Sequence, residues 1–339
     1  MTEEEFPGND PSLHGQFFQM IVGHMACRAI YVVAKLGVAD LLASGSKTAE
    51  EIAEQTGTDS ESLYRLLRAL ASSGIFQEGK DRRFSLTPMA EYLCEDSPGS
   101  LRSFALMVGN TSYAIWGELM HAVQTGEEAF QRVFGVSMFE YFKQNPDKGR
   151  DFDAAMESMH RREVEPMLSA YDFSDCETVV DVGGGNGSLM SEVIDRYPNI
   201  RGIVYDLPQV IERAKKKIRG DNVAEKLTFE SGSFFDSVPG GGDIYLLRHI
   251  IHDWDDEKAK TILQNCRKAK KRNARILVVE NVIPGGNDPY FGKWLDVGML
   301  LIGGKERTEE QYRVLFDSAG LELTRVIPTF ANISVVEGI

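Results

Sequence analysis

Residues 179–189 read VVDVGGGNGSL, and this stretch decides the fold of the second half of the chain. An apolar run typical of a buried strand leads into Gly183, Gly185 and Gly187, and a helical pattern opens at Ser188. Glycine has no Cβ atom, so such a loop adopts positive φ angles and lets a ligand approach the backbone. A tight turn also uses glycine for its shape alone, so the loop predicts a ligand only together with its surroundings.

Strand-like segments recur after this loop and alternate with helical stretches. They are RGIVYDL (201–207), KLTFE (226–230), DIYLLRHI (243–250), ARILVVENV (274–282), LELTRVIP (321–328) and NISVVEGI (332–339). Continuous apolar runs separated by helices indicate a parallel sheet that is covered on both faces. We therefore predict a doubly wound, Rossmann-like α/β domain over residues 171–339.

The first half of the chain has a different pattern from the second, because its apolar residues recur at helical spacing. Residues 48–88 read as a helix, a turn at Gly57, a helix capped by Asp59 or Ser60, and a hairpin, which is a winged-helix pattern. Residues 1–100 carry 8 Lys and Arg against 15 Asp and Glu, whereas DNA binding needs a basic face. We predict a winged-helix dimerisation domain over residues 1–100 and a helical connecting segment over residues 101–170. A ligand-sensing DNA-binding regulator is the alternative.

Composition disfavours several classes of protein. A net charge of -14 disfavours extended contact with nucleic acid or anionic membranes. The 4 cysteines have no CxxC spacing and suggest neither a zinc site nor a disulfide framework. No uninterrupted apolar segment approaches the roughly 18 residues of a membrane span, and the N-terminus lacks the pattern of a signal peptide. We predict a cytoplasmic protein with a small-molecule ligand.

Two further positions describe that ligand. Asp206 follows the second strand, 19 residues after Gly187, where a carboxylate can accept hydrogen bonds from both hydroxyls of a ribose. Residues 232–235, GSFF, offer flat apolar side chains to an adenine ring. NAD is disfavoured because Ser188 occupies the position of the third glycine in GxGxxG, and ATP is disfavoured because no GK[ST] motif is present.

Six ordered motifs resemble those of the S-adenosylmethionine-dependent small-molecule O-methyltransferases of the caffeate, hydroxyindole and anthracycline type. They are VVDVGGGNGSL, VYDLP with Asp206, GSFF, LLRHIIHDWDDE (246–257), ENVIP (280–284) and GGKERT (303–308). The winged-helix segment and the stretches WGELMHAVQTGEEAF and FDAAMESM also match, so the resemblance covers nearly the whole chain. Two positions depart from it, since Ser233 stands where the family often has an acid and Arg248 where it often has a lysine.

The resemblance implies a homodimeric enzyme that methylates a phenolic or enolic hydroxyl of an aromatic small molecule without a metal ion. It implies that His252 is the general base, flanked by Glu280 and Glu306. The implied cofactor-binding residues are Asp181, Gly183, Gly184, Gly185, Asp206, Leu207, Ser233, Phe234, Arg248 and Trp254. The candidates for acceptor binding are Trp116, Phe139, Met156, Met159, Asp253, Trp294, Asp296, Met299 and Leu300.

The proton chemistry of such a reaction sets a requirement. A phenol has a pKa of about 10 and free imidazole about 6.5, so full proton transfer to histidine is uphill by roughly 5 kcal/mol. A carboxylate on the far side of the ring would fix its tautomer and raise its basicity. Neutral His252 can still act as a general base while the new bond forms.

Several alternatives remain open from the residues alone. If these residues have no role in a reaction, His252 is a solvent-exposed imidazole at a helix start. Asp253 is then the acid that caps that helix, and Trp254 is a core residue. Glu306 would pair with Lys305 or Arg307 at the surface, and the aromatic stripe would be core. The same cofactor could also serve hydroxylation, decarboxylation or a pericyclic step in place of methyl transfer.

Overall fold

A computed structural model describes residues 11–216, Val223 and residues 225–339. The first ten residues, on which the prediction of no signal peptide depends, lie outside this description. The chain forms two compact units. The N-terminal unit comprises the residues up to Ala114 together with Asn145–Met159, and the C-terminal unit comprises Ile115–Gln144 and His160–Ile339. The predicted connecting segment, residues 101–170, contributes to both units.

The N-terminal unit contains the predicted winged helix. A three-stranded antiparallel sheet, in the order β1-β3-β2, consists of β1 (Lys47–Thr48), β2 (Phe76–Glu78) and β3 (Arg83–Leu86). The remaining described elements are the helices Pro11–Leu36, Val38–Ala43, Ala49–Thr56, Ser60–Ser72 and Arg102–Met107, most of Pro146–His160, the π-helix Val108–Ser112 and the 3-10 turns Lys80–Arg82 and Ala90–Leu93.

Local capping explains where the two central helices of the winged helix begin. Thr48 and Glu51 form a reciprocal capping box at the start of Ala49–Thr56, and Gly57 ends that helix in the left-handed region with φ of 66°. The Asp59 carboxylate accepts a hydrogen bond from the Ser62 N–H at 2.9 Å and caps the next helix. The helix–turn–helix and hairpin prediction is therefore confirmed.

The helix Pro11–Leu36 leaves much of its apolar surface uncovered. Phe17 is 65% exposed and Met20 is 69% exposed, and Phe18, Ile21 and Met25 are exposed as well. By length and composition, Ser12–Leu36 would suffice to cross a bilayer, although polar residues such as Gln19, His24 and Arg28 interrupt it. A contiguous exposed apolar face of this kind marks an interaction surface.

The C-terminal unit is built on a seven-stranded sheet in the order β6-β5-β4-β7-β8-β10-β9. Its strands are β4 (Thr178–Val182), β5 (Arg201–Asp206), β6 (Leu227–Ser231), β7 (Ile244–Arg248), β8 (Arg275–Glu280), β9 (Leu323–Pro328) and β10 (Ser334–Gly338). The first five are parallel, whereas β10 runs antiparallel to both β8 and β9. The predicted sheet is confirmed as parallel in its centre, with an antiparallel pair at one edge.

Helices cover both faces of this sheet, as the continuous apolar strands predict. Successive residues of β4 point to opposite faces, so Val179 belongs to one apolar core and Val180 to the other. The described helices are Leu119–Thr125, Ala129–Phe134, Met138–Gln144, Val164–Ala170, Ser188–Arg196, Pro208–Ala214, Asp256–Ala269, Phe291–Leu300 and Glu309–Ser318, with Tyr113–Trp116 at the boundary of the units and 3-10 turns at Arg161–Glu163 and Ile251–Asp253. The four cysteines are free.

Candidate active site

The parallel strands end together at one edge of the sheet. In the register of the sheet Val182 of β4 lies beside Tyr205 of β5, and Arg248 of β7 lies beside Val279 of β8. The segments that follow these strands therefore meet at the carboxyl edge, where open α/β sheets bind their ligands. Most of the predicted site residues lie in these segments.

The glycine loop is shaped by contacts that exclude side chains. Gly183 has φ of 74°, and a Cβ atom there would lie 2.3 Å from the Cδ1 atom of Ile250. A Cβ atom on Gly184 would lie 2.6 Å from a carboxylate oxygen of Asp181. By contrast, a Cβ atom on Gly185 would meet nothing within 4 Å. The loop thus packs against β4 and the segment that follows β7, and it leaves open space beside Gly185.

The Asp206 carboxylate is held in a fixed orientation beside this loop. It accepts hydrogen bonds from the Gly185 N–H at 2.9 Å and from the Leu207 N–H at 2.6 Å. Ser233 and Phe234 follow β6, and the Ser233 hydroxyl accepts a hydrogen bond from the Phe235 N–H at 3.3 Å. Backbone donors on both Asp206 oxygens fix the orientation of the carboxylate.

Two residues of opposite charge lie next to the loop, Asp181, which is buried, and Arg248, which is half-buried. Asp181 is 2% exposed, and its Oδ2 atom has no hydrogen-bond partner among the described residues. Burial raises the pKa of Asp181 to about 7, although the charge of Arg248 opposes the shift. Burial also lowers the pKa of Arg248, whose guanidinium donates a hydrogen bond to the His160 carbonyl at 3.2 Å. Buried charged groups without full pairing are typical of ligand sites.

His252 and Glu306 form a buried pair. The Nδ1 atom of His252 lies 2.6 Å from Oε1 of Glu306, and the two residues are 6% and 1% exposed. The Nε2 atom on the other side of the ring lies 3.6 Å from Oδ1 of Asp253. Of the sequence-based alternatives, a solvent-exposed His252 therefore disagrees with the structure.

Carboxylates around His252 dominate its electrostatics. Burial by itself lowers the pKa of His252, but the hydrogen bond and charge of Glu306, with the charges of Asp253 and Glu280, raise it to about 10. Burial raises the pKa of Glu306, and the hydrogen bond from His252 opposes that shift. Burial also raises the pKa of Asp253 to about 7. These neighbours make the ring far more basic than free imidazole.

Glu280 supports the backbone around His252. Its Oε1 atom accepts hydrogen bonds from the N–H groups of Ile250 at 3.1 Å and His252 at 3.0 Å. Its Oε2 atom accepts a hydrogen bond from the Tyr312 hydroxyl. The two glutamates that the resemblance places beside His252 thus have different contacts, because Glu306 binds the ring and Glu280 binds the main chain.

The sequence indicated Arg307 only as a possible partner of Glu306, and its role in the structure was not predicted. Its side chain is fully buried, and its guanidinium donates to the carbonyls of Ile251 at 3.2 Å and Trp254 at 2.9 Å. It also contacts Oδ1 of Asp256, with 2.8 Å between that oxygen and Nη2. Arg307 therefore binds main-chain carbonyls on both sides of His252. Lys305 also pairs with Asp256, whereas Glu306 pairs with His252.

The structure shows whether Asp253 caps a helix, and it gives the contacts of Trp254. The N-cap of the helix Asp256–Ala269 is Asp255, whose carboxylate accepts from the Lys258 N–H, so Asp253 does not cap that helix. The Trp254 ring stacks on Phe139 with centroids 5.2 Å apart and meets Phe235 edge-on. Its indole N–H has no hydrogen-bond partner within the part of the chain that the structure describes.

The acceptor candidates fall into two groups. Met156 and Met159 belong to the N-terminal unit. The others belong to the C-terminal unit: Trp116, Phe139, Asp253, Trp294, Asp296, Met299 and Leu300. Of these, Asp296 accepts a hydrogen bond from the Glu306 N–H at 2.9 Å, so it positions the partner of His252. Trp294 is 62% exposed, so it is not a core residue in a single chain.

Comparison with known proteins agrees with this geometry. Residues 116–322 match the O-methyltransferase domain, and residues 18–96 match the O-methyltransferase dimerisation domain. The chain belongs to the O-methyltransferase family. It is accordingly a methyltransferase, and the exposed helix Pro11–Leu36 lies largely within the part that matches the dimerisation domain.

Several named proteins are similar to this methyltransferase over most of its length. Phenazine O-methyltransferase PhzM of Lysobacter antibioticus is 41% identical over 338 residues, which cover 99% of each chain. The crystal structure of LaPhzM has a TM-score of 0.93 at 41% identity and covers 96% of this chain and 98% of its own. Phenazine-1-carboxylate N-methyltransferase of Pseudomonas aeruginosa is 31% identical, covering 91% of this chain and 92% of its own.

A related crystal structure contains the cofactor. The O-methyltransferase NcsB1 from neocarzinostatin biosynthesis, in complex with S-adenosylmethionine and 2-hydroxy-5-methyl naphthoic acid, has a TM-score of 0.83 at 32% identity. The match covers 92% of this chain and 95% of NcsB1. S-adenosylmethionine is therefore the cofactor expected of the family. The names of these relatives include both O-methyltransferases and an N-methyltransferase.

Proposed function

We propose that this methyltransferase transfers the methyl group of S-adenosylmethionine to a phenolic or enolic hydroxyl of an aromatic small molecule, with His252 as the proton acceptor. The observation that carries the proposal is the buried His252–Glu306 pair at the carboxyl edge of the sheet. A neutral amine acceptor needs no strong base, whereas a hydroxyl acceptor must lose its proton. A ring with a raised pKa therefore favours oxygen over nitrogen as the acceptor.

The residues beside the glycine loop fit the amino-acid end of the cofactor. That end has one ammonium and one carboxylate group, and Asp181 and Arg248 offer the two opposite charges. The unpartnered Oδ2 atom of Asp181 supplies an acceptor for an ammonium N–H. When bound, S-adenosylmethionine supplies an electrophilic methyl group on a positively charged sulfur. Asp206 would accept hydrogen bonds from the ribose hydroxyls, with Ser233 and Phe234 at the adenine.

The role of Asp206 leads to a binding prediction. Asp206→Ala should raise the dissociation constant of S-adenosylhomocysteine at least about tenfold, because hydrogen bonds to a charged acceptor contribute about 1.5 kcal/mol or more. Titration calorimetry measures this constant. Asp236→Ala is the control, since Asp236 is an exposed acid of the neighbouring loop. An unchanged constant in the Asp206 variant would remove the ribose contact from the proposal.

His252 performs the proton step. With a pKa of about 10 the ring matches a phenol, whose pKa is also about 10, so proton transfer costs little. Glu306 accepts the hydrogen bond from Nδ1 and stabilises the imidazolium that forms. The reaction uses the neutral form of the ring, which accepts the hydroxyl proton at Nε2, so a rise in pH that removes the ring proton favours the reaction.

This electrostatic arrangement predicts the pH dependence of the reaction. In the native chain kcat/KM should rise with pH until the ring titrates near pH 10. Glu306→Gln removes the charge that raises the pKa of His252, so burial prevails and the rising limb should move at least about one unit to lower pH. Rates measured from about pH 6 to about pH 10.5 test this shift, because that range covers the rising limb of the native enzyme and that of the variant. Glu309→Gln, which changes an exposed acid, should leave the limb in place, and an unmoved limb in Glu306→Gln would contradict the assignment.

Aromatic side chains support a flat acceptor. The stacked rings of Phe139 and Trp254 and the exposed ring of Trp116, which lies 4.0 Å from a Cβ atom built on Gly298, belong to the same unit as His252. Apolar and aromatic walls with few polar groups are typical of pockets for small aromatic ligands. The named substrates of the relatives, a phenazine and a naphthoic acid, are flat in the same way.

The chain is proposed to act as a homodimer. Support comes from the match to the dimerisation domain and from the exposed apolar residues of Pro11–Leu36, which a second copy would cover. The mass in solution, measured by sedimentation, decides between one and two copies. We also propose that the protein is cytoplasmic and has no nucleic-acid partner.

A labelled-methyl assay tests the whole proposal. Cofactor with an isotopically labelled methyl group is incubated with the enzyme and a panel of phenols, naphthols and aromatic amines, and products are analysed by mass spectrometry. A labelled ether is the expected product. A labelled amine with no ether would assign nitrogen as the acceptor, and a product without label would assign a hydroxylation, decarboxylation or pericyclic reaction.

A further inference from the structure

A group of polar side chains lies next to the catalytic segment and is not used in the proposed proton step. The Nε2 atom of His249 lies 2.7 Å from Oε2 of Glu163. The rings of His160 and His249 are stacked, with centroids 3.8 Å apart and 14° between their planes. The His160 carbonyl accepts a hydrogen bond from Nη1 of Arg248 at 3.2 Å. We propose that Glu163 and His249 are positioning residues, which hold the Arg248 guanidinium in place for the carboxylate of S-adenosylmethionine.

The orientation of the His249 ring depends on Glu163. The side chains of His249 and Glu163 are 6% and 17% exposed. Burial lowers the pKa of His249 well below its usual value, so the ring is neutral and donates one N–H. The other ring nitrogen, Nδ1, has no hydrogen-bond partner in the described parts of the chain. Glu163 is therefore the polar side chain that fixes this ring.

One short segment of the chain contacts both Arg248 and His249. His160 ends the helix Pro146–His160, and Glu163 ends the 3-10 turn that follows it. Burial lowers the pKa of His160 to about 2, so the two stacked rings are both neutral and do not repel each other. The segment holds His249 through the His160 ring and the Glu163 carboxylate. It holds Arg248 through the His160 carbonyl.

Backbone and charge both link Glu163 to Arg248. The strand β7 ends at Arg248, and the next residue, His249, has φ of 54°. A non-glycine residue keeps such a conformation only where its surroundings require it, so the ring contacts support the chain at this point. Burial lowers the pKa of Arg248, and the charges of Asp181 and Glu163 oppose that shift. Glu163 thus favours the charged guanidinium that binding of a carboxylate requires.

This role rests on the proposed function, in which Arg248 binds the amino-acid end of the cofactor. Two ligands isolate that contact. They are S-adenosylmethionine and its decarboxylated form, which keeps the adenine, ribose, sulfonium and ammonium groups and lacks only the carboxylate. Calorimetry on the intact enzyme, without an acceptor, gives the dissociation constant of each ligand. The native enzyme should bind S-adenosylmethionine more tightly, because only that ligand offers Arg248 a charge-assisted hydrogen bond.

Variants of the two positioning residues should reduce this preference. Glu163→Ala and His249→Asn should each raise the dissociation constant of S-adenosylmethionine at least about threefold, as expected of residues that act through a network. The constant of the decarboxylated ligand should change little, whereas general damage to the site would weaken both ligands. Glu163→Gln keeps an acceptor oxygen for the His249 ring and should lose less affinity than Glu163→Ala. Asparagine is chosen at position 249 because it tolerates positive φ.

Glu127→Ala is the matched control. Glu127 also pairs with a histidine, since its carboxylate lies 3.3 Å from Nε2 of His121, but its side chain is 75% exposed. This substitution should leave both dissociation constants unchanged. Circular dichroism checks that each variant is folded. If Glu163→Ala does not fold, Glu163→Asp replaces it with the same expectation, because the shorter side chain withdraws the carboxylate from the His249 ring.

Three results would overturn the positioning role. They are an unchanged S-adenosylmethionine constant in either variant, an equal loss for the two ligands, and a loss in Glu163→Gln as large as that in Glu163→Ala. Arg248→Met, titrated in the same way, separates this role from the proposed function. If Arg248→Met keeps the native preference for the carboxylated ligand, the cofactor contact assigned to Arg248 is wrong. If Arg248→Met loses that preference and Glu163→Ala keeps it, only the positioning role is wrong.

Discussion

His252→Ala should reduce kcat at least about 100-fold, the largest effect expected on activity. Without the ring, the titratable neighbour that remains at this position is Asp253, whose pKa of about 7 makes it a weaker base toward a hydroxyl acceptor than His252. Affinity for S-adenosylhomocysteine should change little, because the cofactor contacts are assigned to Asp181, Asp206 and Arg248. Single-turnover rates with labelled cofactor, and calorimetry for the affinity, provide the measurements.

The control for this prediction must separate lost chemistry from lost structure. His252→Ala leaves the buried Glu306 without its partner, so a second variant, His252→Gln, retains a hydrogen-bond donor toward that carboxylate. Both variants should be inactive while both bind S-adenosylhomocysteine. His121→Asn, at a separate histidine, should keep full activity. A His252 variant that turns over at the native rate would exclude the ring from the mechanism.

Arg307→Met should give the largest loss of stability, about 3 kcal/mol in the free energy of unfolding. The substitution keeps an apolar stem of similar length but removes the guanidinium donors to the carbonyls of Ile251, Trp254 and Lys305, of which Ile251 keeps only the Trp254 N–H among the described residues. It also removes the ion pair with Asp256. Each buried carbonyl left without a donor costs about 1 kcal/mol. Activity should fall as well, because the turn that carries His252 loses its support on both sides.

Urea unfolding followed by tryptophan fluorescence measures this loss, since all three tryptophans belong to the C-terminal unit. Arg313→Met is the matched control. Arg313 pairs with Glu309 on the surface of a helix, with 44% of its side chain exposed, so its loss should cost no more than about 0.5 kcal/mol. Equal unfolding midpoints for the two variants would show that Arg307 does not support the turn.

The strands of the C-terminal unit were predictable because each is a short apolar run between helical stretches. Strand direction was not predictable in the same way. The segments 321–328 and 332–339 were recognised as strands, but nothing in their composition shows that β10 runs antiparallel to its neighbours. Direction depends on the connection and on packing with distant segments. The winged helix was predictable in more detail, because Asp59 and Gly57 are local signals that act within one turn.

The site was predictable in its location and less so in its contacts. The family resemblance implied that Glu280 and Glu306 flank His252, yet only the three-dimensional structure shows that Glu280 binds main-chain N–H groups and Glu306 the ring. The cost of about 5 kcal/mol for proton transfer was calculated for free imidazole and does not hold for a ring among carboxylates. Arg307 gave no signal, since a buried arginine looks the same in sequence as an exposed one.

The position of β10 has a consequence for how the enzyme is made. This strand lies between β8 and β9, although both precede it in the order of synthesis. During translation, β8 therefore emerges from the ribosome with an open row of amide and carbonyl groups that its true neighbour cannot yet fill. Such a row of unpaired groups can form hydrogen bonds with strands of other nascent chains. Productive folding of this half of the molecule must wait for the hairpin of β9 and β10, and chaperones that shield β8 until then should raise the yield of native enzyme.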